Sequence, residues 1–367
     1  MACALIAMTA GCTNLLVFSN ASTDGGSDNA PVVDDEPDDG GNGGGTASKL
    51  YYVSPLGSDG ADGLTLNTAL RTIAHAVEVA QPGDVVAILA GTYTEAVRME
   101  GVGAADAPIT LRGEGGTPGL DGTRQLSVGV RCERCTNIVI ADVEFQGYTD
   151  VGVLATQSSK ITLRNLVVHD NGFAATLEYV EGYGIHVEDS QEVIIEGCEA
   201  FRNGPNPQVP DRWLGTGIDT YGLTDAVIRN NRSHDNTGGG LLVEDSSNVL
   251  VEGNEITGNN LDASIEEWWD GGIWVDGGHD VTLRNNTIRD NLGPGVEISD
   301  EDNQAPYGYL LEGNTITGNY FGLYVWNFGT PELPPSEVLE LSNNDVSGNT
   351  RQDIWIEAKP CPVDDPC

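Results

Sequence analysis

Residues 238 to 259 read GGGLLVEDSSNVLVEGNEITGN, and the way this stretch alternates decides the fold. Leu241-Leu242-Val243, Val249-Leu250-Val251 and Glu255-Ile256-Thr257 are short runs whose side chains point to opposite faces in turn, each closed by a polar turn. None is long enough to show a helical period. Working outward, the phrase repeats in both directions. An apolar-alternating strand is followed by Asn or Gly-Asn, then a short strand ending in Asn, then Gly-apolar-x-apolar. The first strands are Ile161-Thr162-Leu163, Val193-Ile194-Ile195, Val227-Ile228-Arg229, Val249-Leu250-Val251, Val281-Thr282-Leu283 and Leu310-Leu311-Glu312. The strand-terminal asparagines Asn171, Asn203, Asn236, Asn259, Asn291, Asn319 and Asn349 recur at roughly 23 to 33 residues.

Irregular spacing is what coils that share a core but differ in one loop produce. Short strands, tight turns and stacked asparagines predict an all-β chain, a right-handed single-stranded parallel β-helix, in preference to a leucine-rich or helical solenoid. After each first strand the aligned residue is Cys198, Asn231, Asn254, Asn286, Asn314 and Asn344, so Cys198 is read as a member of a ladder and not as a nucleophile. His169 and His234 sit in similar His-Asp-Asn turns and are read as structural. Ahead of the repeats, residues 69–80 place Leu70, Ile73, Ala76, Val77 and Ala80 on one helical face, ended by Pro82-Gly83. An N-terminal helix there is expected to cap the open end of the solenoid.

The outer parts of the chain divide as 1–21, a signal segment; 22–48, a linker rich in Asp and Gly; 49–357, the β-helix; and 358–367, a tail. Ala2 to Ala10 is small and apolar, and Thr9-Ala10-Gly11-Cys12 resembles a lipobox; cleavage after Ala21 is the alternative. Both imply export, as a cell-surface lipoprotein or a secreted protein, with membrane contact only through a lipid anchor. Cys361 and Cys367 bracket the tail, and Cys132-x-x-Cys135 is expected to close a small loop as a disulfide.

Charge is the most unusual bulk property: 56 Asp and Glu against 17 Lys and Arg, a formal net of −39. So acidic a surface repels nucleic acid and anionic lipid, and neither is an expected partner. A salty habitat and a calcium-related role both account for it. The Gly-apolar-x-apolar strands supply a face with chemistry. Alternation turns outward the column His186, Asp219, Leu242, Trp274, Glu297, Tyr324, Trp355, and two residues on a second column, Glu188, Tyr221, Glu244, Asp276, Ser299, Trp326, Glu357. The loops entering these strands bring Tyr179, Arg212, Trp213, Trp268, Trp269 and Asp270. Aromatic faces stack on sugar rings while carboxylates bond hydroxyls, and coils at about 4.8 Å spacing give a track of roughly 30 Å. A polysaccharide bound along exposed aromatics is the expectation, by a protein acting as a monomer.

The opening YYVSPLGSDGADG from Tyr51 to Gly63, the phrase RTIAHAVEVAQPGDVVAILAGTYTE from Arg71 to Glu95, and coils such as the one quoted first resemble the pectin-lyase-like parallel β-helix superfamily. The resemblance spans about Leu50 to Glu357 and implies polysaccharide lyases, uronan epimerases, glycoside hydrolases or one of many members of unknown activity. Lyases that pair a lysine with calcium are disfavoured, since no lysine falls on the face. Three alternatives stay open. Asp219, Glu244, Asp276 and Glu297 could supply the two carboxyls of a hydrolase, about 5 Å or 6.5–9.5 Å apart. His186, with Arg212 and Tyr179 or Tyr183, could serve a lyase or C5-epimerase. The face could also bind glycan without reaction. The run Ser299-Asp300-Glu301-Asp302 is a candidate for Ca²⁺.

Overall fold

The computed structural model describes residues 48–174, 182–205, 215–262, 270–301, 304–328 and 332–357, all within one compact unit, Ala47–Cys367. The chain winds through three parallel sheets. Sheet 1 has eleven strands, from Leu50–Val53 to Leu339–Ser342; sheet 2 has ten, from Thr92–Tyr93 to Asp345–Ser347; sheet 3 has ten, from Val97–Glu100 to Gln352–Glu357. Ten coils each contribute one strand to each sheet, Leu50–Val53 adds an eleventh to sheet 1, and every strand pairs with its equivalent one coil away.

Inward positions stack like on like. In sheet 1 the residues Ile140, Leu163, Ile195, Ile228, Val251, Leu283 and Leu311 pair in register and are all buried. Fully burying such a side chain is worth roughly 1.5–3 kcal/mol. The turns are satisfied by side-chain ladders. Asn231 Oδ1 accepts the backbone N–H of Cys198 at 2.9 Å, and the relation repeats through Asn254, Asn286, Asn314 and Asn344. A second ladder runs from Asn171 to Asn349. Cys198 is therefore a buried ladder end, as expected. A third turn carries Ser158, Ser190 and Ser246, whose hydroxyls accept backbone N–H groups at 2.9–3.0 Å. The residue before each first-ladder position lies in the left-handed region, for example Asn230 at φ 54° and Gly253 at φ 64°, which explains why only Asn, Asp or Gly recurs there.

At the N-terminal end a helix, Ile73–Val79, buries Ile73, Ala76 and Val77 in the main core. It is shorter than the apolar pattern suggests, because Thr72 caps it and Glu95 accepts the N–H groups of Ile73 and Ala74. His169 and His234 are structural: they sandwich Phe201 at 4.7 and 5.0 Å, and their ring nitrogens bond Glu144, Asp170, Asp235 and Glu199. Cys132 and Cys135 depart from expectation. Both are free, buried thiols, the first facing the core from a strand and the second opening the serine ladder. Cys361 and Cys367, the signal segment, the linker and the tail lie outside the described residues.

Candidate active site on the outer face of sheet 3

Both outward columns read from the sequence are real. Strand register pairs His186 with Asp219, then Leu242, Trp274, Glu297, Tyr324 and Trp355. It likewise pairs Glu188 with Tyr221, Glu244, Asp276 and Ser299, and Trp326 with Glu357. Tyr179, Arg212, Trp213, Trp268 and Trp269 lie outside the described residues.

The expectation of exposure does not hold in the middle of the face. Asp219, Leu242, Trp274, Asp276 and Glu297 are each 6% exposed or less, as is Asp270. The reason is that these side chains pack on one another. Trp274 Nε1 donates to Ser299 Oγ at 2.7 Å, and Trp326 Nε1 donates to Glu297 Oε1 at 2.6 Å. Asp270 Oδ2 accepts from the Gly239 N–H at 2.7 Å and from Thr216 Oγ1 at 3.2 Å. Bare backbone makes room for this. A Cβ on Gly239 would stand 2.9 Å from Asp270 Cβ, and one on Gly271 would stand 2.9 Å from Glu297 Cβ. The half-buried aromatic rings lie further along, where Tyr324 stacks between the buried Phe321 at 5.7 Å and Trp326 at 6.4 Å.

Electrostatically the middle of the face is a packed acidic group. Asp219 Oδ2, Asp270 Oδ1 and Glu297 Oε2 are buried without a hydrogen-bond partner. Burial drives the Glu297 carboxyl well above its usual range, helped by the charges of Asp270 and Asp276. Asp270 is pushed up to about 6 by burial, against its two hydrogen bonds. Glu244 is pushed up to about 8, by burial first and then by Asp219 and Asp276. Asp276 rises by burial, while bonds from Ser299 Oγ and from the Glu301 N–H at 3.1 Å hold it back. Glu244, half-buried, is thus an acid protonated near neutral pH, in register with a carboxylate one strand away.

At the other side of this group His186 Nδ1 donates to Asp219 Oδ1 at 2.7 Å, and the Tyr183 ring stacks on the imidazole at 4.8 Å. His186 is therefore a positioned histidine and not a free surface group. The sequence reading missed the continuation of its column towards the N-terminus: Leu154, Arg131 and Arg98 precede it in register. Period-two counting would have found them: Gly152-Val153-Leu154-Ala155 and Gly129-Val130-Arg131-Cys132 carry the same phrase, and only the coil of Arg98 replaces the glycine, with Ala96. In the run offered for Ca²⁺, Ser299 Oγ donates to Asp276. Asp300 Oδ1 accepts the Gln304 N–H at 2.6 Å, closing a turn, and Asp302 lies outside the described residues. Among the described residues no three His, Cys, Asp or Glu side chains are grouped as a metal ion would need.

A family model described as "Right handed beta helix region" matches residues 123–265 and 174–350, more than half the chain. The chain belongs to the right-handed β-helix family. A relative from Bacillus subtilis (strain 168), the uncharacterized protein YwoF, is 30% identical over 316 residues, covering 74% of this chain and 64% of its own. A pectate lyase, PEL9, of Emericella nidulans is 25% identical over 238 residues, covering 59% of this chain and 49% of its own. The chain thus spans about half to two thirds of the length of these curated relatives. Among solved structures, the pectate lyase Pel9A superposes with a TM-score of 0.60 at 18% identity, over 84% of this chain and 79% of that one. That likeness shows a shared right-handed parallel β-helix fold.

Proposed function

We propose that this protein is an exported, carbohydrate-active β-helix that holds a polysaccharide along sheet 3 and hydrolyses its glycosidic bonds with Glu244 and Asp276. The observation that carries the reading is the pair itself. Glu244 and Asp276 sit in register on adjacent strands, with Glu244 pushed up to about 8. A glycosidase needs one carboxyl protonated at working pH, to protonate the leaving oxygen, and a second one ionised. Parallel neighbours put the two Cα atoms about 5 Å apart, and retaining enzymes hold their two carboxyls at a similar separation. In that scheme Asp276, steadied by Ser299 and the Glu301 N–H, attacks the anomeric carbon. Glu244 gives its proton to the departing sugar and then takes one from the water that releases the product. Tyr324 and Trp326 offer rings on which sugar units stack.

The test is release of reducing ends from a panel of neutral and acidic polysaccharides by the full chain, with the anomer of the first product followed by NMR. Retained configuration supports the pair as nucleophile and acid; inversion or silence across the panel removes it. One observation favours a second reading. The His186–Asp219 contact at 2.7 Å is the geometry of an oriented general base. If products carry unsaturated ends, or uronate configuration changes without cleavage, His186 and not Glu244 is the centre. Glycan binding with neither outcome leaves the face as a binding surface.

A further inference from the structure

The outward columns are not uniformly acidic. From His186 to Glu357 their charged members are Glu188, Asp219, Glu244, Asp276, Glu297 and Glu357, with His186 the one basic group. Towards the N-terminus the sign changes. Arg98 and Arg131 occupy the first column there, and the acids beside them are already neutralised. Glu100 bonds Arg98 at 2.8 Å and also contacts Arg134, which pairs with Glu133 as well. Arg131 is left over. Half-buried, it makes no ion pair and no side-chain hydrogen bond among the described residues, in a chain with 56 acids for 17 bases. A guanidinium so placed keeps a planar fork of donors free, and that fork matches a carboxylate. Arg131 stands two strands before His186, about 10 Å at strand spacing, or roughly two sugar units.

We infer that Arg131 forms a subsite for a single carboxylate-bearing sugar, and that the units bound beyond it, over the acidic middle and the aromatic end, are uncharged. The inference rests on the face being a glycan track, and it specifies the substrate class: a mostly neutral polysaccharide with isolated uronic acid units, not a polyuronate. A chain charged at every unit would lay its carboxylates along columns that, from His186 onward, hold Asp219, Asp276 and Glu357 and no arginine or lysine.

The experiment is calorimetric titration of the full chain with neutral xylo- and gluco-oligosaccharides bearing one uronic acid at one end, with their carboxyl-reduced forms, and with oligogalacturonate of equal length. The single-acid ligand should bind about tenfold more tightly than its reduced form, and more tightly than oligogalacturonate. Arg131→Gln should erase the preference for the acid while leaving affinity for the reduced form unchanged, and Arg131→Lys should keep part of it. That unchanged affinity also shows the variant is folded. If wild type binds acid and reduced forms equally, or binds oligogalacturonate best, the subsite is wrong although the track stands. If no oligosaccharide binds, track and subsite fall together.

Discussion

The outer faces of sheets 1 and 3 are made by the same coils yet arrange charge in opposite ways. On sheet 1 the outward residues Arg164, Glu196, Arg229, Glu252, Arg284 and Glu312 follow one another in register, alternating in sign at every strand. Glu196 bonds Arg229 at 2.6 Å and lies 3.2 Å from Arg164, and Arg284 bonds Glu312 at 2.9 Å. This is a solvated, satisfied surface. On sheet 3 the second column sets Glu244 directly beside Asp276, near Asp219, Asp270 and Glu297, with three carboxylate oxygens unpartnered. Alternation is the arrangement that costs least where charges stack every strand. Its abandonment on one face, within coils that keep it on another, marks where the chain accepts an electrostatic cost, and such sites are where perturbed acids do chemistry.

The largest effect should come from removing the acid from that pair. Glu244→Gln keeps shape and loses the proton that titrates; turnover should fall about 10³-fold while glycan affinity stays within a few-fold. Asp276→Asn should do the same. Reducing-end release that survives both changes would show that the cleavage uses other groups and that this pair's contrast with sheet 1 has no catalytic meaning.

Second in size is a change to what the two faces share. Asn254 Oδ1 accepts from Asn231 N at 2.9 Å and Asn231 Nδ2 at 3.0 Å, while its own Nδ2 donates to Ile228 O at 2.9 Å. Asn254→Ala leaves several buried groups unpaired, for a loss of about 3 kcal/mol. A urea midpoint shift at constant slope reads it. A loss below 1 kcal/mol would mean that the ladders decorate a core held by aliphatic stacking alone.

Those ladders were legible because strand period and turn chemistry are local. Gly253-Asn254 and Asn285-Asn286 announce a left-handed residue followed by a ladder asparagine, and so the register of Glu244 on Asp276 follows from counting. Burial was not legible. Whether Trp274 faces water or Ser299 depends on what packs over it, and alternation says only which side of the sheet it leaves. The arginines of sheet 1 and of the N-terminal coils were open to the same counting, but a bulk charge of −39 draws the eye away from the few cations. The buried Cys132 and Cys135 show the same limit: spacing alone does not tell a loop pair from a core position and a turn position.

A third effect sharpens the contrast through pH. Glu244 is raised from 4.5 to about 8 in the folded chain, so between those values the folded protein binds more protons than the unfolded one. Stability is then greatest below that window and declines as pH rises through it. Sheet 2 behaves oppositely. Burial pushes Glu199 up, but His234 and Arg232 outweigh it and hold the carboxyl below its ordinary value, so its contribution is lost as pH falls. Thermal midpoints across pH should show the decline in wild type and a flatter profile in Glu244→Gln. Equal slopes would mean that Glu244 is ionised and solvated when folded.

The smallest effect separates charge from burial. Arg229→Glu on sheet 1 would set three acids in register, at 196, 229 and 252, where alternation now stands. Because Arg229 and Glu196 are partly exposed, the cost should be about 1 kcal/mol or less and should shrink with added salt. It is read from the urea midpoint at low and high ionic strength. Such a result would locate the cost of the acidic face in lost solvation, since like charges in register would then be cheap in water. A cost of several kcal/mol, insensitive to salt, would instead make like-charge stacking the cause, and Glu244 would owe its raised pKa to its neighbours more than to its burial.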